Sequence, residues 1–311
     1  MTGSGQSHNF LDDKTNTGKG IVIMDRNTTK YKVKQYIMFA GISTVLFAAV
    51  VIIPFIYGLY LTFTSWDGIS KDKQFVGFAN YIATFKDIAY WQALGRTVIY
   101  SVISVVLVNV VAFFLAYLLT SGIKGQNFFR AGFFIPNLIG GIVLGYIWQT
   151  LLNGLLSKWG QPLLALSAKN GFIGMLILLC WQQIGYMMII YVAGLNNVSP
   201  DLIEAAQIDG ATSRQILFKI KIPMIMPSVT ICTFLTLTNG FKMFDQNLSL
   251  TGGDPAKQSQ LLALNIYDTF YARSGPQWKG IGQAKAVVFF ILVVAIALIQ
   301  LKATSSKEVQ Q

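Results

Sequence analysis

Residues 97–119 read TVIYSVISVVLVNVVAFFLAYLL and contain no charged side chain. A helix needs about 20 mostly apolar residues to cross the hydrocarbon core of a bilayer, so this run is long enough to span one. Five further runs meet that length or come close to it: Tyr36–Phe63, Ala131–Leu152, Gly171–Leu195, Met224–Phe241 and Ala284–Leu301. Among the six runs, only the last contains a charged residue, Lys285. The pattern predicts an all-α, polytopic membrane protein with about six transmembrane helices.

The composition of the chain supports a membrane protein over the two alternatives. The 311 residues are 53% hydrophobic and 12% charged, whereas soluble domains carry about 25% charged residues. One alternative is that the runs are buried helices of a large soluble protein. The chain has too little polar sequence to shield six such apolar helices from water. A transmembrane β-barrel is disfavoured, because its strands alternate apolar and polar residues while these runs are apolar throughout.

The chain ahead of the first run is polar and predicts a flexible tail over residues 1–35, because it has too little apolar surface to order itself. The run that follows is longer than the about 7–15 apolar residues of a secretory signal, so we expect it to remain as the first helix. Lys30, Lys32 and Lys34 precede it, which predicts a cytoplasmic N-terminus. Six spans then place both termini in the cytoplasm. The predicted domains are the tail 1–35, a transmembrane domain 36–302 and a C-terminal cytoplasmic tail 303–311.

The charged and reactive residues exclude several classes of function. The net charge of +11 comes from bases scattered over many loops, which favours anionic lipid headgroups over nucleic acid as their partner. Cys180 and Cys232 lie within apolar runs, where small-residue packing is their usual role. His8, the single histidine, lies in the predicted tail, so no metal cluster is predicted. The chain has no phosphate-binding loop and no G-x-S-x-G or H-E-x-x-H motif, so no catalytic residue is predicted.

Polar side chains within the spans are candidates for a substrate pathway. In CWQQIGYMM, Gln182, Gln183 and Tyr186 fall within one helical turn and share a face. Asn239 and Lys242 share a face near the outer end of the fifth span, together with Thr236, and Asp245 follows three residues further on. Polar groups are costly in lipid, so they face either a cavity or a neighbouring helix. Lining the pathway and hydrogen bonding between helices both stay open for these residues.

A charged stretch, EAAQIDGA, lies at residues 204–211 between two apolar runs. Before it, Ser199 predicts a helix N-cap and Pro200 the first helical position. Such a helix places three polar residues on one stripe: Asp201, Glu204 and Gln207.

Gly210 predicts the end of this short helix, because glycine tolerates the positive φ that terminates helices. A second helix is predicted from Thr212, which has capping-box spacing to Gln215. Its apolar face consists of Ile216, Leu217 and Ile220. The two helices predict a rigid docking element at the cytoplasmic surface, and the alternative is an amphipathic linker that lies in the lipid headgroups.

The motif E-A-A-x-x-D-G-A, followed by Ile220, Pro223 and Pro227, resembles the cytoplasmic loop of ATP-binding-cassette importer permeases, specifically the maltose-type carbohydrate permeases. The resemblance covers roughly residues 36–302. Further stretches agree in the order expected for the family: FVGFANY at 75–81, WQALGRTVIYS at 91–101, FFRAGFFIPNLIGGIVLGYIWQTLLN at 128–153 and LTGGDP at 250–255. The chain departs from the family pattern at Arg214, Leu217 and Asp254.

The resemblance implies the type I importer permease fold in a bacterial plasma (inner) membrane. It implies a heterodimer with a second related permease subunit, docking on a dimer of ATPase subunits that bind ATP and Mg, and delivery of sugar by an extracytoplasmic substrate-binding protein. No cofactor is expected on this chain itself. The ATPase-coupling loop is then 196–227. Its expected coupling residues are Glu204, Ala205, Ala206, Asp209, Gly210, Ala211, Ile220 and Pro223.

The expected cargo is a neutral carbohydrate, with an oligosaccharide favoured, because amide and aromatic groups suit sugar hydroxyls and rings. Two other classes of function remain as alternatives. A stand-alone channel or secondary carrier would need no ATPase, but carriers usually couple to ions through intramembrane acids, which the runs lack. A membrane enzyme would have to use the loop acids Asp201, Glu204 and Asp209.

Overall fold

The computed structural model describes residues 29–69 and 73–305. Within these ranges the chain is helical, and the β pairing there is an isolated antiparallel bridge between Thr64 and Phe75. Residues 1–28 and 306–311 of the two predicted tails lie outside the described residues. The first helix begins at Thr29, inside the region predicted as tail.

The α-helices follow one another with short connections. They are α1 (Thr29–Phe47), α2 (Ile53–Leu61), α3 (Ala79–Lys86), α4 (Ile88–Leu119), α5 (Gln126–Phe134), α6 (Gly141–Lys158), α7 (Ala168–Asn196), α8 (Pro200–Ile208), α9 (Ser213–Ile216), α10 (Ile222–Met224), α11 (Met226–Phe241), α12 (Asp245–Leu250), α13 (Leu262–Tyr267) and α14 (Gln277–Ser305). Three π-helical turns, Ala48–Ile52, Leu217–Lys221 and Asp268–Ala272, and two 3₁₀ turns, Ile135–Leu138 and Leu164–Leu166, connect or extend them.

The chain divides into two compact units, one ending at Ile56 and the other beginning at Tyr57. The described part of the first unit is helical, and nearly all of its described side chains are exposed. An example is Phe39, which is 78% exposed. Exposed apolar side chains on a helix of this composition are what a lipid-facing surface requires.

Four helices are long and apolar enough to cross a membrane, and the number is six if each of two bent pairs counts as one span. The four are Lys32–Leu61, Ile88–Leu119, Ala168–Asn196 and Gln277–Ser305. They match the first, second, fourth and sixth predicted runs. The all-α, polytopic prediction is therefore confirmed.

The third predicted run is broken, whereas the fifth is continuous over Met226–Phe241 and bends only at its start. Residues 126–138 and 141–158 form a pair bent by 100°, so the single span predicted at Ala131–Leu152 is wrong in shape. Pro136 lies in a 3₁₀ turn and Gly140 is extended, which interrupts the helical hydrogen bonds between α5 and α6. Residues 213–224 and 226–241 are bent by 68°, and α11 begins with Pro227 in its first turn. Proline is tolerated at that position because the first N–H groups of a helix have no partner within it.

The core is built around α7, which packs against α4 and α11. One buried cluster includes Ala112, Ala116, Met188, Tyr191 and Cys232. The small residues let the helices approach closely, as is usual in membrane bundles. Cys180 and Cys232 are both free thiols, in agreement with the packing role predicted for them.

A hydrogen-bond chain connects the same three helices. The Tyr191 hydroxyl on α7 donates to Asn109 Oδ1 on α4 at 2.8 Å, and Asn109 Nδ2 donates to Thr236 Oγ1 on α11 at 3.4 Å. The Thr236 hydroxyl itself donates to the Cys232 carbonyl oxygen at 2.8 Å. The geometry therefore supports hydrogen bonding between helices, rather than lining of the pathway, as the role of Thr236.

A buried ion network joins the start of α4 to α14. Lys285 is fully buried, and its ammonium donates to Asp87 Oδ2 at 2.7 Å, to Asn265 Oδ1 at 3.0 Å and to Thr269 Oγ1 at 2.8 Å. Arg273 lies 3.4 Å from the same Asp87 oxygen. All three donors of the lysine are thus used, which is what a charge needs at zero exposure.

This network lies at the opposite end of the bundle from α8. Asp87 is the N-cap of α4 and accepts a hydrogen bond from the Ala89 N–H, whereas Leu119, at the other end of α4, packs in one cluster with Leu195 and Val198 just before α8. Partial burial acts to raise the pKa of Asp87, but the hydrogen bond and charge of Lys285 and the charge of Arg273 outweigh it and lower that pKa below its ordinary value.

Candidate functional site

The first candidate site is the short helix α8 and the turn that ends it. Pro200 is in the first turn and Asp201 adds an acid there, as predicted. Ser199 is the N-cap residue, but its side chain accepts no hydrogen bond from the helix, so the predicted side-chain cap is wrong. Its backbone is non-helical, with φ −57° and ψ 129°, and Pro200 supplies the fixed φ that starts the helix without a donor.

Gly210 ends α8 in a left-handed conformation with φ +79°. The Gly210 N–H donates to the Gln207 carbonyl at 3.0 Å, and the Ala211 N–H donates to the Ala206 carbonyl at 2.9 Å. These two bonds form a Schellman motif, which satisfies carbonyl groups at the end of the helix. A Cβ at Gly210 would have no atom within 4 Å, so it is the backbone angle that makes glycine necessary here.

A capping box starts α9, as the sequence predicted. The Gln215 N–H donates to Thr212 Oγ1 at 3.3 Å, and the Thr212 N–H donates to Gln215 Oε1 at 2.8 Å. After the box, Ile216 is buried, and Ile220 and Pro223 are half-buried. The segment after Gly210 is therefore anchored to the protein through its apolar face.

The surface of α8 is mostly uncovered. Glu204, Ala205 and Asp209 are exposed, while Ala206 and Ala211 are half-buried. Ile208 is 87% exposed, an unusual position for a large apolar side chain on a charged helix. Ile203 alone of the larger α8 side chains packs against the core cluster. A rigidly capped helix thus presents acids and an apolar side chain to the outside.

The second candidate site is a polar cavity of ≈ 210 Å³ between α7, α11 and α12. Its lining residues are Leu179, Gln183, Asn239, Lys242, Met243, Phe244, Asp245 and Gln246. Asn239 Nδ2 donates to Gln183 Oε1 at 2.9 Å, so these two amides hold each other in place across the cavity wall.

Three of the five predicted pathway residues, Gln183, Asn239 and Lys242, line this cavity together. Gln182 does not line the cavity itself but contacts a residue that does, because Gln246 Nε2 donates to Gln182 Oε1 at 2.7 Å. The Gln182 amide also donates to the Ile139 carbonyl at 3.2 Å, which ties α7 to the turn before α6.

Tyr186, the fifth predicted pathway residue, does not line the polar cavity. Its ring lies 6.3 Å from that of Phe134 at the end of α5. The helix crossing explains this, because a Cβ at Gly185 would lie 1.8 Å from the Phe133 carbonyl oxygen, so α5 runs directly over α7 there. Gln182, Gln183 and Tyr186 all lie within one turn of α7, but the approach of α5 separates Tyr186 from the cavity.

Sequence reasoning placed Asp245 three residues beyond Lys242, but it did not predict the contribution of Phe244 and Gln246. Phe244, the N-cap of α12, and Asp245 and Gln246 in its first turn bring one aromatic ring, one carboxylate and one amide to the cavity. The spacing of Asp245 three residues after Lys242 is the sequence signal that points to it. Among the described residues, no group of three or more His, Cys, Asp or Glu side chains is placed to hold a metal ion.

Comparisons with known proteins define the class of this chain. A model of the family described as binding-protein-dependent transport system inner membrane component matches residues 109–303. The chain is 40% identical over 283 residues to the probable starch degradation products transport system permease protein AmyD of Thermoanaerobacterium thermosulfurigenes, covering 88% of this chain and 95% of that protein. It is 30% identical over 264 residues to the multiple sugar-binding transport system permease protein MsmF of Streptococcus mutans, covering 82% and 90%.

A solved structure of similar fold is the crystal structure of a bacterial ABC transporter involved in the import of the acidic polysaccharide alginate. The TM-score is 0.74 at 19% sequence identity, and the match covers 89% of this chain and 96% of that chain. The chain belongs to the binding-protein-dependent transport system inner membrane component family. The predicted importer permease fold and the predicted class, a permease subunit of an ATP-binding-cassette importer, are confirmed.

Proposed function

We propose that this chain forms one half of the translocation pathway for a neutral carbohydrate and receives the force for transport through α8 from a separate ATPase. The observation that carries the proposal is the exposed helix α8, which begins at Pro200 and ends in a Schellman motif with Gly210 at φ +79°. A helix that must transmit movement needs fixed ends and an accessible surface, and α8 has both.

Three of the expected coupling residues, Glu204, Ala205 and Asp209, are exposed on α8 and the residue that ends it. Glu204 and Asp209 are available to accept hydrogen bonds from a partner protein, and charge-assisted hydrogen bonds contribute about 1.5–3 kcal/mol each. Ala205 leaves space for close approach, and exposed Ile208 offers an apolar contact. Ala206 and Ala211 lie behind this surface and, with Gly210, fix the turn, whereas Ile220 and Pro223 anchor the following segment to the bundle.

A neutral cargo is supported by the chemistry of the polar cavity. Lys242 is the one base among the described residues that line it, and the carboxylate of Asp245 lines the same cavity. An anionic cargo would require an excess of Arg or Lys, whereas paired amides such as Gln183 and Asn239 suit sugar hydroxyls. The names of both sequence relatives also refer to carbohydrate cargo.

The partners of this chain are part of the proposal. They are a second related permease subunit, a dimer of ATPase subunits carrying ATP and Mg, and an extracytoplasmic binding protein that delivers the sugar.

Both termini are assigned to the cytoplasm, which puts α8 on the ATPase side. Maleimide labelling tests the orientation: Ser213→Cys should label from inside and Lys158→Cys from outside, in a background with Cys180 and Cys232 replaced by alanine. Labelling of Ser213→Cys from outside would overturn it.

Uptake by the assembled importer in proteoliposomes tests the function. Labelled malto-oligosaccharides should accumulate with ATP and binding protein, and labelled glycerol 3-phosphate should not. ATP-independent accumulation would instead favour a stand-alone channel or secondary carrier, and phosphate-ester uptake without sugar uptake would reject the carbohydrate.

The role of α8 is tested by Glu204→Ala, with Lys124→Ala as an exposed-charge control on another loop at the same end of the bundle. At about 1.5–3 kcal/mol, loss of one charged bond should weaken ATPase association by one to two orders of magnitude. Full association and full transport in Glu204→Ala would reject the coupling role.

A further inference from the structure

A second cavity adjoins the polar cavity and shares Phe244 with it. It has a volume of ≈ 430 Å³ and lies between α13, the π-helical turn Asp268–Ala272 and α14. Its lining residues are Phe244, Ala263, Ile266, Tyr267, Phe270, Tyr271, Gly282, Gln283, Ala286 and Phe289. Phe244 thus lines both a small amide-lined cavity and a larger aromatic one.

Four aromatic rings form a continuous row in this second cavity, which we call the aromatic row. The Phe244 and Tyr267 ring centroids are 5.1 Å apart, those of Tyr267 and Tyr271 are 4.8 Å apart, and those of Tyr271 and Phe270 are 4.7 Å apart. Tyr271 is 65% exposed and Tyr267 is 39% exposed. The row therefore begins at the polar cavity, continues over the two exposed tyrosine rings and ends on half-buried Phe270.

The surrounding residues hold the aromatic row in position. The π-helical turn is fixed by Thr269, which is buried and donates to the Asn265 carbonyl at 2.8 Å. Phe270 packs directly on α14, since a Cβ at Gly282 would lie 3.0 Å from Phe270 Cβ. The ammonium of Lys279 lies 4.8 Å from the Phe270 ring centroid and 5.3 Å from that of Tyr271, so cation–π attraction adds to the packing.

A lipid-facing role does not account for this composition. The Lys279 ammonium lies against the rings, and the Gln283 amide lines the same cavity. A charge and an amide are costly against hydrocarbon. An aromatic surface with a few polar groups is instead the usual lining of a ligand pocket.

We propose that the aromatic row is a second sugar subsite, so that one ring of an oligosaccharide occupies the polar cavity while the next rings stack on Phe244, Tyr267 and Tyr271. The faces of a sugar ring consist of C–H groups, which pack on the electron-rich face of an aromatic ring. The Gln283 amide supplies a donor and an acceptor for hydroxyls. The inference rests on the carbohydrate function proposed above and adds a preference for longer sugars.

Uptake as a function of sugar length tests the subsite in the complete importer. The probes are labelled malto-oligosaccharides from maltose to maltoheptaose. Tyr271→Ala is the test variant, because the side chain is largely exposed and its loss leaves no buried cavity. Tyr271→Phe keeps the ring, and Tyr146→Ala removes an exposed tyrosine from α6, which lines neither cavity.

The subsite predicts that Tyr271→Ala lowers maltoheptaose uptake about tenfold, equivalent to about 1.4 kcal/mol, and changes maltose uptake by less than about twofold on the same scale. Tyr271→Phe and Tyr146→Ala should retain the wild-type length profile. If Tyr271→Ala lowered the uptake of every sugar equally, the tyrosine would act in docking of the binding protein. If the variant lowered the uptake of none, the tyrosine would be a surface residue without a role in transport. Either result would overturn the subsite. Failure of the wild type to import any of these sugars would reject the proposed function itself.

Discussion

Asp87 at one end of the helical bundle and Glu204 and Asp209 at the other are acids in opposite settings. Asp87 contacts Lys285 at 2.7 Å and Arg273 at 3.4 Å, and Lys285 is fully buried. Glu204 and Asp209 are exposed, and neither forms an ion pair with a described residue. The charge of Asp87 is therefore paired within the chain, whereas the charges of Glu204 and Asp209 remain available to a partner protein.

The difference separates a structural role for charge from a docking role. A buried charge must be paired within the protein, so Lys285 fixes α14 against the start of α4. An exposed acid on a helix that is capped at its end contributes little to folding, and the proposed docking on a partner would account for its position. Burial and pairing, rather than the presence of charge, therefore distinguish the two sets.

The largest effect is expected from Lys285→Met. This change leaves the Asp87 carboxylate without its main partner, and removing one member of a buried pair typically costs about 3–5 kcal/mol. Thermal unfolding in detergent should show a strongly destabilised protein. The double variant Asp87→Asn with Lys285→Met removes both charges and should recover much of the loss, and a single variant as stable as the wild type would contradict the structural role.

A smaller effect, on transport rather than on folding, is expected from Gly210→Val. A β-branched residue at positive φ costs about 1–3 kcal/mol of backbone strain, so α8 should be misdirected and uptake should fall by about tenfold. Gly132→Val is the matched control, because a Cβ there also has open space but Gly132 lacks the positive φ. Similar uptake by the two variants would show that the turn geometry is unimportant.

A weaker effect is expected from Thr212→Ala, which removes the capping box between Thr212 and Gln215. Loss of a side-chain cap costs about 0.5–2 kcal/mol, and here the loss is confined to the start of α9. Faster hydrogen exchange over residues 211–216 should accompany a modest fall in uptake. Thr212→Ser keeps the hydroxyl and should restore both values, whereas unchanged exchange in the alanine variant would argue against the cap.

The smallest effect concerns pH. Because the folded-state pKa of Asp87 is lowered from its ordinary value of 3.8, its ionised form contributes stability that is fully present above that value and is lost as pH falls through the folded pKa. The stability difference between wild type and Asp87→Asn should therefore be constant between neutral and mildly acidic pH. A difference that changes near neutral pH would contradict the lowered pKa.

The sequence predicted the features that depend on neighbouring residues. Runs such as 97–119 are helices of the expected length, and the Asp209-Gly210 pair and the Thr212–Gln215 spacing give the turn and the capping box. Features that depend on distant contacts were not predicted: Asp87 and Lys285 are 198 residues apart, and no local pattern shows that they meet.

The candidate pathway shows the same limit. Helical spacing put Gln182 and Gln183 on one face with Tyr186, but only packing by α5 decides that Tyr186 lies away from the cavity. Pro136 and Gly140 are sequence signals for the bend between α5 and α6. A single straight span was nevertheless predicted there, because the run is apolar throughout. The aromatic row needs the fold as well, since Phe244 lies at the start of α12 while Tyr267 and Tyr271 follow a later loop.

Cross-linking from α8 tests most directly whether its exposed surface docks on the ATPase. Gln207→Cys lies on the same stripe as Glu204, and Lys124→Cys is exposed on another loop at the same end of the bundle, both in a background with Cys180 and Cys232 replaced by alanine. With a short bifunctional reagent in the assembled importer, Gln207→Cys should cross-link to the ATPase subunit, with a yield that changes when ATP binds, and Lys124→Cys should not. A cross-link from Lys124→Cys and none from Gln207→Cys would contradict the account.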